Sequence, residues 1–332
     1  MEIFPTQYST LSSVALKDKL QEVYDLIDIR CNLHIRNVSD TYLLENETYK
    51  YIFKIYRDSH RKLNEIKGEV DLLNKLRAAG ARVSYPIKDI GGSYIQAFNA
   101  AEGIRHGVLF SFAPGSVVYS LTDEQLEKLG KEMALIHNIS SDVQIDFFRK
   151  EYTIDNTIIQ PLEVLKPAFS ELEEEYKWLN KMADTVIAKL QHFNLQDFSY
   201  GYCHYDFLPK NFHFDKDGNI TFFDFDFAGK GYLVNDIMSF YIHYFFEVSA
   251  NKISKEEAVR AFNVFIESYR TVRTLTNEEL STIPYLGFAF WVFYLGFQFE
   301  NFDDWSSIFF NTQFIKGRVA LIKKWMDSFE GL

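Results

Sequence analysis

Along the first third of the chain, apolar residues fall in short alternating runs. The runs at 31–37 (CNLHIRN), 41–46 (TYLLEN) and 49–57 (YKYIFKIYR) are β-leaning and joined by short polar connections, which predicts an antiparallel meander. The spacing then changes. Over 61–79, Leu63, Ile66, Val70, Leu73 and Leu76 recur every three or four positions and Gly80 ends the pattern, so a helix is expected whose apolar stripe packs on the meander. Two further β-leaning runs, 82–90 (RVSYPIKDI) and 107–112 (GVLFSF), would complete a five-stranded sheet. A helix over 15–27 precedes the first run, and Ala113-Pro114-Gly115 closes the last one, placing a hinge at 111–115.

From there the period is mostly helical. Thr122 is a candidate N-cap for a helix over 122–138 with Leu126, Leu129, Met133 and Ile136 on one face. Helices are also predicted over 171–193, 235–247, 254–270, 277–299 and 312–329. No internal repeat and no Pro-, Gly- or Ser-rich linker interrupts the chain, so two neighbouring units are expected, 1–112 and 113–332, with a cleft between them. Residues 281–299 carry no formal charge and approach the length of a membrane span. Pro284, two glycines, Gln298 and the flanking Glu300, Asp303 and Asp304 favour a buried helix in a soluble protein instead.

Composition narrows the partners. With 35 Lys and Arg against 46 Asp and Glu, the net charge is −11, and no long basic run appears. Duplex nucleic acid and anionic membranes are therefore poor partners, because binding them needs clustered cations. A neutral or cationic small molecule is easier to accommodate. Cys31 and Cys203 lie far apart without metal-ligand spacing, which suggests neither a disulfide framework nor a zinc site. Together with the lack of a signal-like N-terminus, this points to the cytoplasm.

The chemistry concentrates in residues 203–236 (CHYDFLPKNFHFDKDGNITFFDFDFAGKGYLVND). Asp217-Gly218 is a two-residue hairpin signal between 212–214 and 220–225. That turn would set Asn211 directly opposite Asp224, with Cβ atoms roughly 4.5 to 5.5 Å apart on one face. An amide oxygen and a carboxylate aimed at one spot suit Mg²⁺. Asp206, in a turn closed by Pro209, would face the same spot without coordinating the metal, as a base that positions an attacking hydroxyl.

The set His204-x-Asp206-x-x-Pro209-x-Asn211, then Phe223-Asp224, then Asp236, resembles the catalytic segment of the aminoglycoside phosphotransferase and choline kinase type of small-molecule kinase, related to protein kinases. The resemblance spans about residues 30–240. It implies an α+β, two-lobe protein-kinase-like fold: a small antiparallel-sheet N-lobe and a larger, mostly helical C-lobe. It also implies an ATP- and Mg²⁺-dependent transfer to a hydroxyl of a small acceptor, with aminoglycosides, choline or ethanolamine, homoserine and sugars as candidates. By the same resemblance, Asp206 is the catalytic base and Asn211 and Asp224 hold the metal. Lys54 anchors the phosphates, Glu69 orients Lys54, and the backbone of Ser111, Phe112 and Ala113 meets the adenine.

Three features depart from that pattern: Tyr205 replaces a small residue, Asp226 stands at the position of a glycine, and the loop 37–41 lacks glycine. Two other readings therefore stay open, a compact bacterial protein Ser/Thr kinase and a catalytically silent nucleotide-binding or scaffold module. No APE-like end follows Asp224, which disfavours the former. His204 reads as structural, His137 and His213 as core or loop residues, and Asp236 as a buttress of the catalytic loop. Glu300, Asp303 and Asp304 read equally as a solvated acidic loop or as an attraction for a cationic acceptor.

Overall fold

The computed structural model describes Thr6, residues 9–301 and residues 310–329. The chain divides into two compact units: Met1–Pro114 with Gln144–Phe148 and Thr221–Phe223, and the remainder from Gly115 onward.

The first unit opens with α1 (Ser13–Tyr24), capped by the Ser12 hydroxyl, which accepts from the Ala15 N–H. The meander follows as β1 (Arg30–Arg36), β2 (Ser39–Glu45) and β3 (Lys50–Tyr56), then α2 (Leu63–Ala78), β4 (Ile95–Ala100) and β5 (Gly103–Ser111). The sheet is antiparallel in the order β1-β2-β3-β5-β4, so β3, which carries Lys54, is central. Leu16, Leu20 and Tyr24 of α1 share one core with Tyr42, Leu44, Phe53, Ile55 and Leu109 of the sheet. The first helix thus packs on the sheet, a role expected of the second. Another buried element was not foreseen. Arg105, 2% exposed, donates to Asp40 at 3.0 Å and to the Tyr56 and Ser9 carbonyls.

Two expectations in this unit are corrected. The fourth strand is Ile95–Ala100, and 82–90 forms only isolated bridges at Val83 and Pro86. Pro86 has no N–H to give a ladder, which breaks the run at its middle. The segment 37–41 is not an open loop: Ser39–Thr41 belong to β2, and Asn37 and Val38 alone make the connection.

The second unit holds α3 (Asp123–Asp142), α4 (Gln160–Leu165), α5 (Glu173–Leu190), β6 (Tyr200–Cys203), β7 (Phe212–Phe214), β9 (Gly229–Tyr232), α6 (Val234–Ser249), α7 (Lys255–Arg270), α8 (Asn277–Ser281), α9 (Ile283–Asn301) and α10 (Thr312–Asp327). The short β8 (Ile220–Phe222) pairs with β7, and β6 pairs with β9. Thr122 caps α3, and Gly130 lets α3 approach α7, where a Cβ would sit 2.5 Å from the Phe265 carbonyl oxygen. The single helix expected over 277–299 is two, α8 and α9. In α9, Ile283, Phe288–Phe293 and Leu295 are buried, and Gly287 admits the Trp325 ring of α10. Among the described residues no helix is long and apolar enough to cross a membrane.

Candidate active site

The segment from β6 through the start of α6 carries the chemistry. Tyr205 follows β6 in the left-handed region, at φ 67°, a conformation that costs an aromatic residue on the order of 1 to 3 kcal/mol. What holds it there is Asp236, in the first turn of α6. Its Oδ1 accepts from the Tyr205 N–H at 2.7 Å and its Oδ2 from the His204 N–H at 2.8 Å. His137 Nε2 reaches the same Oδ2 at 3.0 Å, and His137 Nδ1 meets the Tyr269 hydroxyl at 2.8 Å. Asp236 is therefore the expected buttress, and His137, read from sequence as a core residue, is the link from it to α7. The Tyr205 ring lies flat on Tyr152, with centroids 3.5 Å apart and planes 7° from parallel. His204 is structural as expected. Its Nδ1 accepts from the Asp206 N–H at 3.3 Å and its ring packs on Phe225.

This scaffold presents Asp206. Its Oδ2 accepts from Asn211 Nδ2 at 2.9 Å and from Lys210 Nζ at 2.9 Å, whereas its Oδ1 is buried without a hydrogen-bond partner among the described residues. Asn211 also donates to the Asp206 carbonyl at 2.8 Å. Both partners of that amide are acceptors, so its NH₂ faces Asp206 and its Oδ1 is turned away. Lys210 was missed by sequence reasoning. Its spacing of four from Asp206 around Pro209 was the available signal.

Asp224 is exposed and holds φ at 62°, two residues after the end of β8. Both acidic groups act on two common neighbours. Burial lowers the Lys210 ammonium, but Asp206, by charge and hydrogen bond, and then Asp224 hold it above its ordinary value. The Tyr294 phenol of α9 is pushed well above its ordinary value first by burial, then by Asp206, Tyr152 and Asp224.

The hairpin differs from the expected one. Asn211 lies in a 3₁₀ turn, Pro209–Asn211, and Asp224 lies beyond β8, so they are not a cross-strand pair. The hairpin closes from the Asp215 N–H to the Asn219 carbonyl, enclosing Lys216, Asp217 and Gly218. The Asp215 carboxylate accepts from the Asp217 and Asn219 N–H groups and widens the turn to three residues, with Gly218 at φ 73° in the left-handed position. Arg149 braces the backbone that follows Asp224, donating to the Phe225, Asp226 and Ala228 carbonyls. Asp226, at the glycine position, is 2% exposed.

In the first unit, Lys54 and Glu69 come together as the spacing suggested. Lys54 Nζ lies 4.0 Å from Glu69 Oε1, with the two side chains 8% and 2% exposed. Ser111 is anchored: its N–H donates to the Tyr85 carbonyl at 2.9 Å, and its own carbonyl accepts from the Ser84 hydroxyl at 2.6 Å. Phe112 and Ala113 follow directly, with Lys50 Nζ 4.2 Å from the Phe112 ring centroid. Glu300 is the penultimate residue of α9, while Asp303 and Asp304 lie outside the described residues.

Comparison with known proteins agrees with this arrangement. A protein of Synechocystis sp. (strain PCC 6803) is 30% identical over 241 residues, 72% of this chain and 67% of that protein. Among solved structures, an amicoumacin kinase in complex with AMP-PNP, Ca²⁺ and Ami superposes with a TM-score of 0.79 at 21% identity, covering 96% of this chain and 94% of that one. A microcompartment-associated aminopropanol kinase superposes with a TM-score of 0.75, also at 21% identity, over 95% and 98%. The model of the phosphotransferase enzyme family matches residues 35–262. With the His204-to-Asp236 segment inside that match, the chain belongs to the phosphotransferase enzyme family.

Proposed function

We propose that the chain transfers the γ-phosphate of ATP, with Mg²⁺, to a hydroxyl of a small acceptor that carries an amine. The observation that carries this reading is the asymmetry of the Asp206 carboxylate. Its Oδ2 is saturated by Asn211 and Lys210, and its Oδ1 is buried and, among the described residues, unpartnered. A buried acceptor atom without a donor is costly unless a ligand supplies one. An acceptor hydroxyl is such a donor. Oδ1 then orients that hydroxyl and takes its proton as the new P–O bond forms and the bond to the leaving ADP oxygen breaks.

The residues present fit a divalent cation. Asn211 Oδ1, turned away from Asp206, and the exposed Asp224 carboxylate are hard oxygen donors of the kind Mg²⁺ takes beside phosphate oxygens. The ion, when bound, would neutralise charge on the transferring phosphate. Lys54, fixed by Glu69, is assigned to the α- and β-phosphates, and Phe112 and Ala113 to the adenine. The amine in the acceptor is supported by the net charge of −11 and by the aminopropanol kinase among the structural neighbours.

The test is ATP consumption over a panel of amino alcohols, choline and aminoglycoside-like antibiotics, with Asp206→Asn as the paired control. One or more acceptors should stimulate turnover in the wild type, and the variant should lose about 10²- to 10⁴-fold. Equal rates for both proteins with every acceptor would overturn the reading.

A further inference from the structure

Behind Tyr205, within the second unit, lies a cavity of about 350 Å³ whose lining does not include Asp206, Asn211 or Asp224. Its walls combine two chemistries. Tyr152, Phe198, Tyr200, Tyr205 and Tyr232 give it aromatic faces, and Glu151 and Asp155, both exposed, bring carboxylates to it. Among the described residues no Lys, Arg or His lines it. The nearest basic residues in sequence take their charges elsewhere: Lys150 Nζ lies 4.7 Å from the Phe293 ring centroid, and Lys230 Nζ lies 5.4 Å from that of Tyr202.

The polar groups of this cavity are not all accounted for internally. Glu151 accepts from the Tyr200 hydroxyl and Asp155 from Gln160 Nε2 at 2.6 Å, leaving each carboxylate further acceptor capacity. Tyr205 is 1% exposed, lines the cavity and lies flat on Tyr152, which fixes its ring as part of the wall. Aromatic faces and carboxylates with no basic residue beside them in the lining are together the chemistry that attracts a cation bearing apolar groups. The volume suits a small organic molecule.

We propose that this cavity is a binding site for a small organic cation, an alkylammonium or quaternary ammonium compound, separate from the oxygens that carry phosphoryl transfer. This goes beyond the proposed function and does not require it. An anion is excluded by the carboxylates. A neutral isostere would lose the charge-dependent part of the attraction.

Tetramethylammonium is the probe, because it has no hydroxyl to phosphorylate, and tert-butanol is its neutral counterpart. Saturation-transfer NMR titrations with the full chain should show saturable binding of tetramethylammonium and none of tert-butanol. The double variant Glu151→Gln/Asp155→Asn should bind about tenfold more weakly. Asp206→Asn should bind within twofold of wild type. Absence of saturable binding, equal binding of the neutral probe, or loss in Asp206→Asn with retention in the double variant would each overturn the proposal. In the last case the cation would sit at the catalytic carboxylate instead. Because the ATP-consumption panel reads turnover and this titration reads occupancy, failure of one is distinguishable from failure of the other.

Discussion

Two regions hold the candidate catalytic residues in place by different means. In the first unit, Lys54 and Glu69 face each other across side chains alone, at 4.0 Å, one from a central strand and one from a helix. In the second, the catalytic loop is gripped through its backbone. Asp236 takes the N–H groups of His204 and Tyr205, and the Ser239 hydroxyl takes that of Phe207 at 2.9 Å. Charge-assisted bonds to backbone fix a chain path as well as a side-chain position, and roughly double the strength of neutral bonds. A lysine that grips a mobile ligand needs reach, whereas a base that must align a proton transfer needs a fixed origin.

The comparison can be broken most severely at Asp236. Asp236→Ala leaves His137 and two buried N–H groups without their acceptor, and the urea midpoint should fall by an amount equivalent to about 3 kcal/mol. Turnover should collapse with it, at temperatures where the fold persists. Lys54→Ala should separate those effects. Nucleotide affinity, measured by calorimetry, should drop about 10- to 100-fold, the equivalent of one charge-assisted contact, while the acceptor-independent geometry of the loop stays.

A smaller change sharpens the picture at Tyr205. Tyr152→Leu removes the flat ring beneath it and the hydroxyl bond to the Phe227 carbonyl, and stability should fall by about 1 kcal/mol. The smallest effect is a pH dependence set by a histidine on α6. His243 of α6 is held below its ordinary 6.5 by burial, partly offset by Glu247, and its Nε2 donates to the Tyr119 carbonyl. The folded state prefers the neutral ring, so the unfolded chain protonates first. Stability is complete above about pH 6.5 and declines as pH falls from there through the folded value. His243→Gln should flatten that slope in acid-range urea titrations.

How much of this was legible in sequence depended on the range of the interactions. The catalytic loop was readable because His204, Asp206, Pro209 and Asn211 act on one another locally, and the Lys54–Glu69 pair because both sit on elements with clear periods. The fourth strand was not. Residues 95–100 carry a half-exposed pattern on a sheet edge, which leaves little alternation to read, while 82–90 alternates well but contains Pro86. The hairpin misled for a similar reason. Asp217-Gly218 is a strong two-residue signal, and the Asp215 carboxylate overrode it with two bonds to the turn backbone. Contacts between distant segments, such as Asp40 with Arg105 and Tyr152 with Tyr205, leave no local trace at all.

The Asp236–His137–Tyr269 relay ties the aim of Asp206, the proposed base, to a helix that carries none of the proposed ligand contacts. Randomising only the positions that face nucleotide or acceptor would leave this lever untouched. Substitutions along α7, chosen for how they seat one phenol, offer an independent dial on the precision of proton transfer.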